Sequence, residues 1–79
     1  MEYELIRSRY TGEGTGQWRY DCYLGYFSTP EECYERISLV TGSPIERIKE
    51  DIERDGKFWL YIFGGDIIIA DEYWINNPV

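Results

Sequence analysis

The sequence predicts an α+β fold: a single domain in ββααββ order, with an antiparallel sheet packed against a helical hairpin. Three observations predict it. Strand-like alternation occupies both ends of the chain, two successive helix-start motifs occupy its middle, and glycine-rich segments divide each terminal strand pair. With 79 residues, the expected organisation is one α+β domain over 1–79.

Tyr3 to Tyr10 is rich in strand formers. Trp18 to Phe27 alternates, with Trp18, Tyr20, Cys22, Leu24 and Tyr26 on one face and Arg19, Asp21 and Tyr23 on the other. Thr11 to Gln17 is expected to be the hairpin loop, since three glycines there accept positive φ freely. Thr29-Pro30-Glu31-Glu32 supplies an N-cap, a proline at the first helical position and a glutamate at the third, so cap and glutamate satisfy each other's backbone donors. Cys33, Ile37 and Val40 form the apolar stripe of that helix, with Tyr34 beside them, and Gly42 ends it. Ser43-Pro44-Ile45-Glu46 repeats the start signal, Ile45, Ile48 and Ile52 make the second stripe, and Asp55-Gly56 closes it. From Lys57, Phe58, Leu60 and Ile62 oppose Trp59, Tyr61 and Phe63, the pattern of a central strand covered on both sides. Gly64-Gly65-Asp66 then turns the chain into a last strand from Ile67 to about Trp74 or Ile75.

Composition narrows the function. Eight Lys and Arg against fifteen Asp and Glu give a net charge of −7, which opposes a direct grip on phosphates. There is no histidine, so the commonest general base and metal ligand are missing. Cys22 and Cys33 lack Cys-x-x-Cys spacing, and two free, buried thiols in a reducing cytoplasm are expected, with a single disulfide between them as the alternative. The N-terminal MEYELIRSR has no signal-peptide character, and no apolar run approaches the roughly 20 residues of a membrane span. A soluble, cytoplasmic protein follows as the expectation.

Each candidate site has a plainer competitor. Gly12 to Gly16 has the glycine content of a phosphate loop, but a strand follows it and Glu13 would repel phosphate, so it reads as a hairpin tip. Asp66, Asp71 and Glu72 lack calcium-loop spacing, and no hydroxyl has a histidine to activate it. The expectation is a protein that is not an enzyme, with no cofactor, no metal and no catalytic residue. Two features remain. Glu46, Glu50 and Glu53 fall on one flank of the second helix at steps of about 6 and 4.5 Å, with Asp51 and Asp55 nearby. Such a row is more often a solvated face, and pairs such as Glu50 with Arg54 or Arg47 with Asp51 neutralise part of it. The other feature is the surplus of eight Tyr and three Trp, with Tyr23, Trp59, Tyr61, Tyr73 and Trp74 as candidates for exposed contact residues.

Small, acidic, aromatic-rich and without catalytic residues, the chain resembles the single-domain inhibitors that bacteriophages direct against host defence, the anti-CRISPR and anti-restriction proteins. The resemblance is one of class, carried by the acidic row Glu46, Glu50, Glu53 with Asp51 and Asp55. It implies a protein partner with a basic surface, a nuclease or CRISPR effector complex, whose access to DNA is blocked by occlusion or partial DNA mimicry. Direct nucleic-acid binding and membrane binding are not expected, and the chain itself would be a monomer or homodimer. The alternatives are a homodimeric structural module, or a helix-turn-helix regulator with a basic patch around Arg7, Arg9 and Arg19, which the net charge of the second helix opposes.

Overall fold

A computed structural model describes residues 2–13, 16–64 and 67–77. Six elements follow in order: strands β1 (Tyr3–Glu13) and β2 (Gly16–Phe27), helices α1 (Pro30–Thr41) and α2 (Ile45–Asp55), and strands β3 (Lys57–Gly64) and β4 (Ile67–Asn76). The strands make one antiparallel sheet in the order β2-β1-β4-β3. Both helices pack on one face of it, and among the described residues the other face carries no helix.

The first hairpin is longer than the alternation predicted. Thr11, Gly12 and Glu13, assigned to the loop, pair with Trp18, Gln17 and Gly16. A two-residue connection suffices for a hairpin, and β4 adds a second ladder as far as Gly12↔Ile68, which satisfies the backbone of this stretch. Gly14 and Thr15, like Gly65 and Asp66 of the other hairpin, lie outside the described residues.

β3 departs from its expected place. It is an edge strand, because β1 and β4 occupy the centre, paired from Glu4↔Asn76 to Gly12↔Ile68. Its helix-side residue Phe58 is buried, and Leu60 packs partly against the core. Trp59, Tyr61 and Phe63 therefore lie on the face that no helix covers.

β2 also departs from strict alternation. Leu5 pairs with Gly25 but Ile6 pairs with Tyr23, so Leu24 is an extra residue in a β-bulge and Gly25 takes φ 126°. Beyond the bulge the phase reverses, and Tyr26, opposite Glu4, joins Tyr23 on the helix-free face instead of following Leu24. An added Cβ at Gly25 meets only the Phe27 ring, 3.8 Å away, so the cost of Gly25→Ala is one of backbone conformation. It is expected to destabilise by about 1 to 2 kcal/mol, read as a lower urea midpoint at unchanged slope.

α1 begins as its motif requires: the Thr29 hydroxyl accepts the Glu32 N–H at 3.3 Å. The Glu32 carboxylate accepts the N–H of Ser28, at 3.1 Å, rather than that of the cap residue itself. Gly42, at φ 75°, ends the helix by donating its N–H to the Ser38 carbonyl at 2.8 Å. α2 does not repeat this start. Pro44 is the N-cap and there is no side-chain cap. Ser43 lies one residue too early, and its carbonyl instead accepts the Ser38 hydroxyl at 2.7 Å, tying the helix junction together.

Leu5, Cys33, Tyr34, Ile37, Ile48, Phe58 and Tyr73 form the core. Each predicted stripe is buried only in part: Val40 and Ile45, which flank the turn between the helices, are exposed. Helices of 12 and 11 residues run about 18 and 16 Å, whereas β1 and β2, with 11 and 12, run about 37 and 41 Å. The helical layer is thus too short for the sheet. Tyr20 and Ile62, on its helix side, remain exposed.

Candidate interaction surfaces

Two surfaces of opposite character emerge, one on each side of the sheet. On the helix-free side, Trp59, Tyr61 and Phe63 recur every second residue of β3 and stack in a row, with centroids 6.1 and 6.5 Å apart and planes within 15° and 18°. Tyr10, on β1, reaches the Trp59 ring at 5.6 Å. It can do so because the residue between strands, Ala70, which pairs with both Tyr10 and Tyr61, is too small to separate them. The Arg19 guanidinium lies 5.6 Å over Tyr10 and the Lys57 ammonium 5.7 Å over Trp59, as cations do on ring faces.

A chain of hydrogen bonds ties the polar groups of this face together. Trp74 Nε1 donates to Ser8 Oγ at 3.0 Å, Ser8 Oγ donates to Asp21 Oδ1 at 2.7 Å, and Arg19 Nε donates to the same oxygen at 3.0 Å. The Ser8 hydroxyl, and then Arg19, hold the Asp21 carboxyl below the usual carboxylate range. Ser8 is fully buried, although no helix lies over it.

Of the aromatic residues singled out from the sequence, Tyr23 and Tyr61 are exposed on this face, and Trp59 and Trp74 are half-buried there. Tyr73 is a correction. It pairs with Arg7 and Phe58 on the helix side and lies in the core, where burial pushes its hydroxyl pKa up. The apolar run of β4 reads equally well in either phase, so its pattern did not distinguish the two faces. Tyr10, Phe63 and Tyr26 were missed. Phe63 was legible, being two residues beyond Tyr61 in the same alternation; Tyr26 was hidden by the bulge.

The second surface is the helical layer, which carries eight carboxylates against four cations. Glu46, Glu50 and Glu53 are exposed on α2 and, with Lys49 and Arg54, line an open groove of about 460 Å³. Asp51 and Asp55 are held rather than presented: Arg54 Nη2 lies 2.9 Å from each, and Arg54 Nη1 is 3.9 Å from Glu50. Arg54 is the neighbour that holds the Asp55 carboxyl below its usual range. Among the described residues neither Glu46 nor Glu53 has an ion-pair partner. Leu39, Val40 and Ile45, exposed around the helix turn, add apolar surface next to Glu46 that sequence reasoning placed in the core or passed over. The acidic row and the aromatic set therefore do not form one site.

Arg7, Arg9 and Arg19 do not form a patch either. Arg7 and Arg9 sit on the helix side of β1, Arg19 on the other side of β2, and Arg9 donates through Nε and Nη2 to the Asp71 carboxylate at 2.8 and 2.9 Å. Both cysteines are free, Cys33 buried and Cys22 half-buried. Burial, with a smaller contribution from Glu32, pushes the Cys33 thiol up to about 11. Among the described residues no three His, Cys, Asp or Glu side chains converge on a metal position, and no helix is long and apolar enough to cross a membrane. No known family model, curated protein or solved structure matches the chain.

Proposed function

We propose that this protein is a non-catalytic inhibitor that binds a basic, nucleic-acid-handling protein, a nuclease or CRISPR effector complex, through its acidic helical layer. The observation that carries this reading is the segregation of charge. The helices hold eight carboxylates against four cations, whereas the helix-free sheet face holds Glu4, Asp21 and Glu72 against Arg19 and Lys57. An uncompensated acidic side steers a basic partner and fixes its orientation. Glu46, Glu50 and Glu53 supply that attraction, and Leu39, Val40 and Ile45 supply apolar contact beside it.

The size of the charge favours occlusion over extended imitation of DNA. Four excess charges on the helices match only about 7 Å of duplex, at one charge per about 1.7 Å. Such a patch covers a basic groove locally and excludes DNA by bulk.

The test has two stages. Immobilised protein is exposed to lysates of bacteria carrying diverse defence systems and eluted with a salt step. Retention of a nuclease or CRISPR effector, whose cleavage of DNA then falls as the protein is added, is the expected result. The triple variant Glu46→Lys, Glu50→Lys, Glu53→Lys should bind that partner at least about tenfold more weakly and with a flatter salt dependence. Retention of DNA alone, or unchanged affinity of the triple variant, would overturn the proposal.

A further inference from the structure

We infer that the helix-free face of the sheet is an interface between two copies of this chain, which pack sheet to sheet with their acidic helical layers outward. The face is already prepared for burial. Covering a polar group is costly when its hydrogen bonds to water are not replaced. Here the Trp74 indole N–H, the Ser8 hydroxyl, the Asp21 carboxylate and the Arg19 guanidinium satisfy one another within the chain. Arg19 and Lys57 lie over aromatic rings. Glu4 and Glu72 also lie on this face, but most of what remains open is ring surface: Phe63 is 74% exposed, Tyr23 67% and Tyr61 57%. Large rigid side chains of this kind form the centre of protein interfaces.

Area and charge identify the occupant. Four strands about 4.8 Å apart, paired over some eight residues at about 3.4 Å each, give a projected face of about 500 Å². Side-chain relief raises the accessible area of such a face towards the 800 Å² or so that each partner contributes to a stable complex. A basic partner is attracted to the helices instead, and a strongly acidic one is repelled by a chain of net charge −7. A second copy offers the same area, the same rings and nearly balanced charge. Its own acidic layer would stand about 30 Å away, at three layer spacings of about 10 Å, well beyond a Debye length of about 8 Å. Face-to-face packing thus buries the aromatic side without bringing the acidic sides together.

The experiment is sedimentation velocity over a dilution series, with tryptophan fluorescence recorded on the same samples. A dimer of micromolar or tighter Kd is expected, the range that interfaces of ordinary size cover. Trp59 and Trp74 both lie on the face, so emission should shift to the red as the dimer dissociates on dilution. Tyr61→Glu on β3 and Tyr23→Glu on β2 sit at opposite edges of the face. Each should weaken association at least about tenfold, with the circular dichroism of a folded chain. Leu39→Glu, on the helical layer, should leave it unchanged. A monomer throughout the micromolar range would overturn the inference. So would a dimer weakened by only one of the two tyrosine variants, which would place the contact at a sheet edge, or one dissociated by Leu39→Glu. If a glutamate variant fails to fold, the wild-type emission decides: no shift on dilution across the dimer–monomer transition would also overturn the inference.

Discussion

Phe58→Ala is expected to destabilise the protein by several kcal/mol. Phe58 is buried on the helix side of β3, 6.5 Å from the Tyr73 ring and in the same cluster as Ile37 and Ile48. Truncating such a ring costs about 3 to 5 kcal/mol, because transfer free energy is lost and the cavity collapses only in part. Seventy-nine residues at about 0.05 to 0.15 kcal/mol each give a total stability of about 4 to 12 kcal/mol. The substitution therefore removes a large share of it. Urea unfolding followed by circular dichroism measures the loss, and a change below about 1 kcal/mol would mean that the helices do not pack on β3 as described. The exposed Leu39→Ala should stay within about 0.5 kcal/mol.

Asp71→Ala is expected to have the next largest effect. Asp71 is 2% exposed, on the central strand β4, and both its oxygens accept from the Arg9 guanidinium, which is 36% exposed. Removing one partner of a buried pair costs about 3 to 5 kcal/mol when the other is stranded without water. Arg9 keeps access to solvent, so the loss should fall to about 2 to 3 kcal/mol. Replacing both, as Arg9→Met with Asp71→Leu, should recover most of that loss, since an apolar pair of similar size carries no desolvation penalty. A double variant no more stable than Asp71→Ala alone would show that the ion pair itself is a net source of stability.

The order of the elements was legible in the residues because each rests on short-range signals. Thr29, Pro30 and Glu32 open α1, Gly42 and Gly56 end the two helices, and period-two apolar patterns mark the strands. The misplacements share a physical origin: the information lay in pairing between distant segments. Apolar residues on both faces of β3 are what a central strand shows, yet here one face meets α2 and the other is bare. The phase of β2 changes at Gly25 because a bulge is defined by its partner strand, and no pattern within β2 announces it. Tyr73 and Trp74 are adjacent, so only the register with β1 and β3 decides which of them enters the core. The spacing put Glu46, Glu50 and Glu53 on one flank of α2, and the structure leaves all three exposed. What the spacing did not reveal is that Arg54 would turn towards Asp51 and Asp55.

The strand order carries a kinetic consequence. The two central strands come from opposite ends of the described chain, so a contact such as Arg9 with Asp71 closes a loop of 62 residues. Each hairpin can form locally, but neither alone has the middle of the sheet, and α1 packs against β1 and β4 together. Loop closure must be bought before that contact repays it, which places the molecule among slow, non-local folders rather than fast helical ones. During synthesis the inner edge of β1 therefore stays without its partner until β4 has been made, an interval in which that edge is open to mispairing.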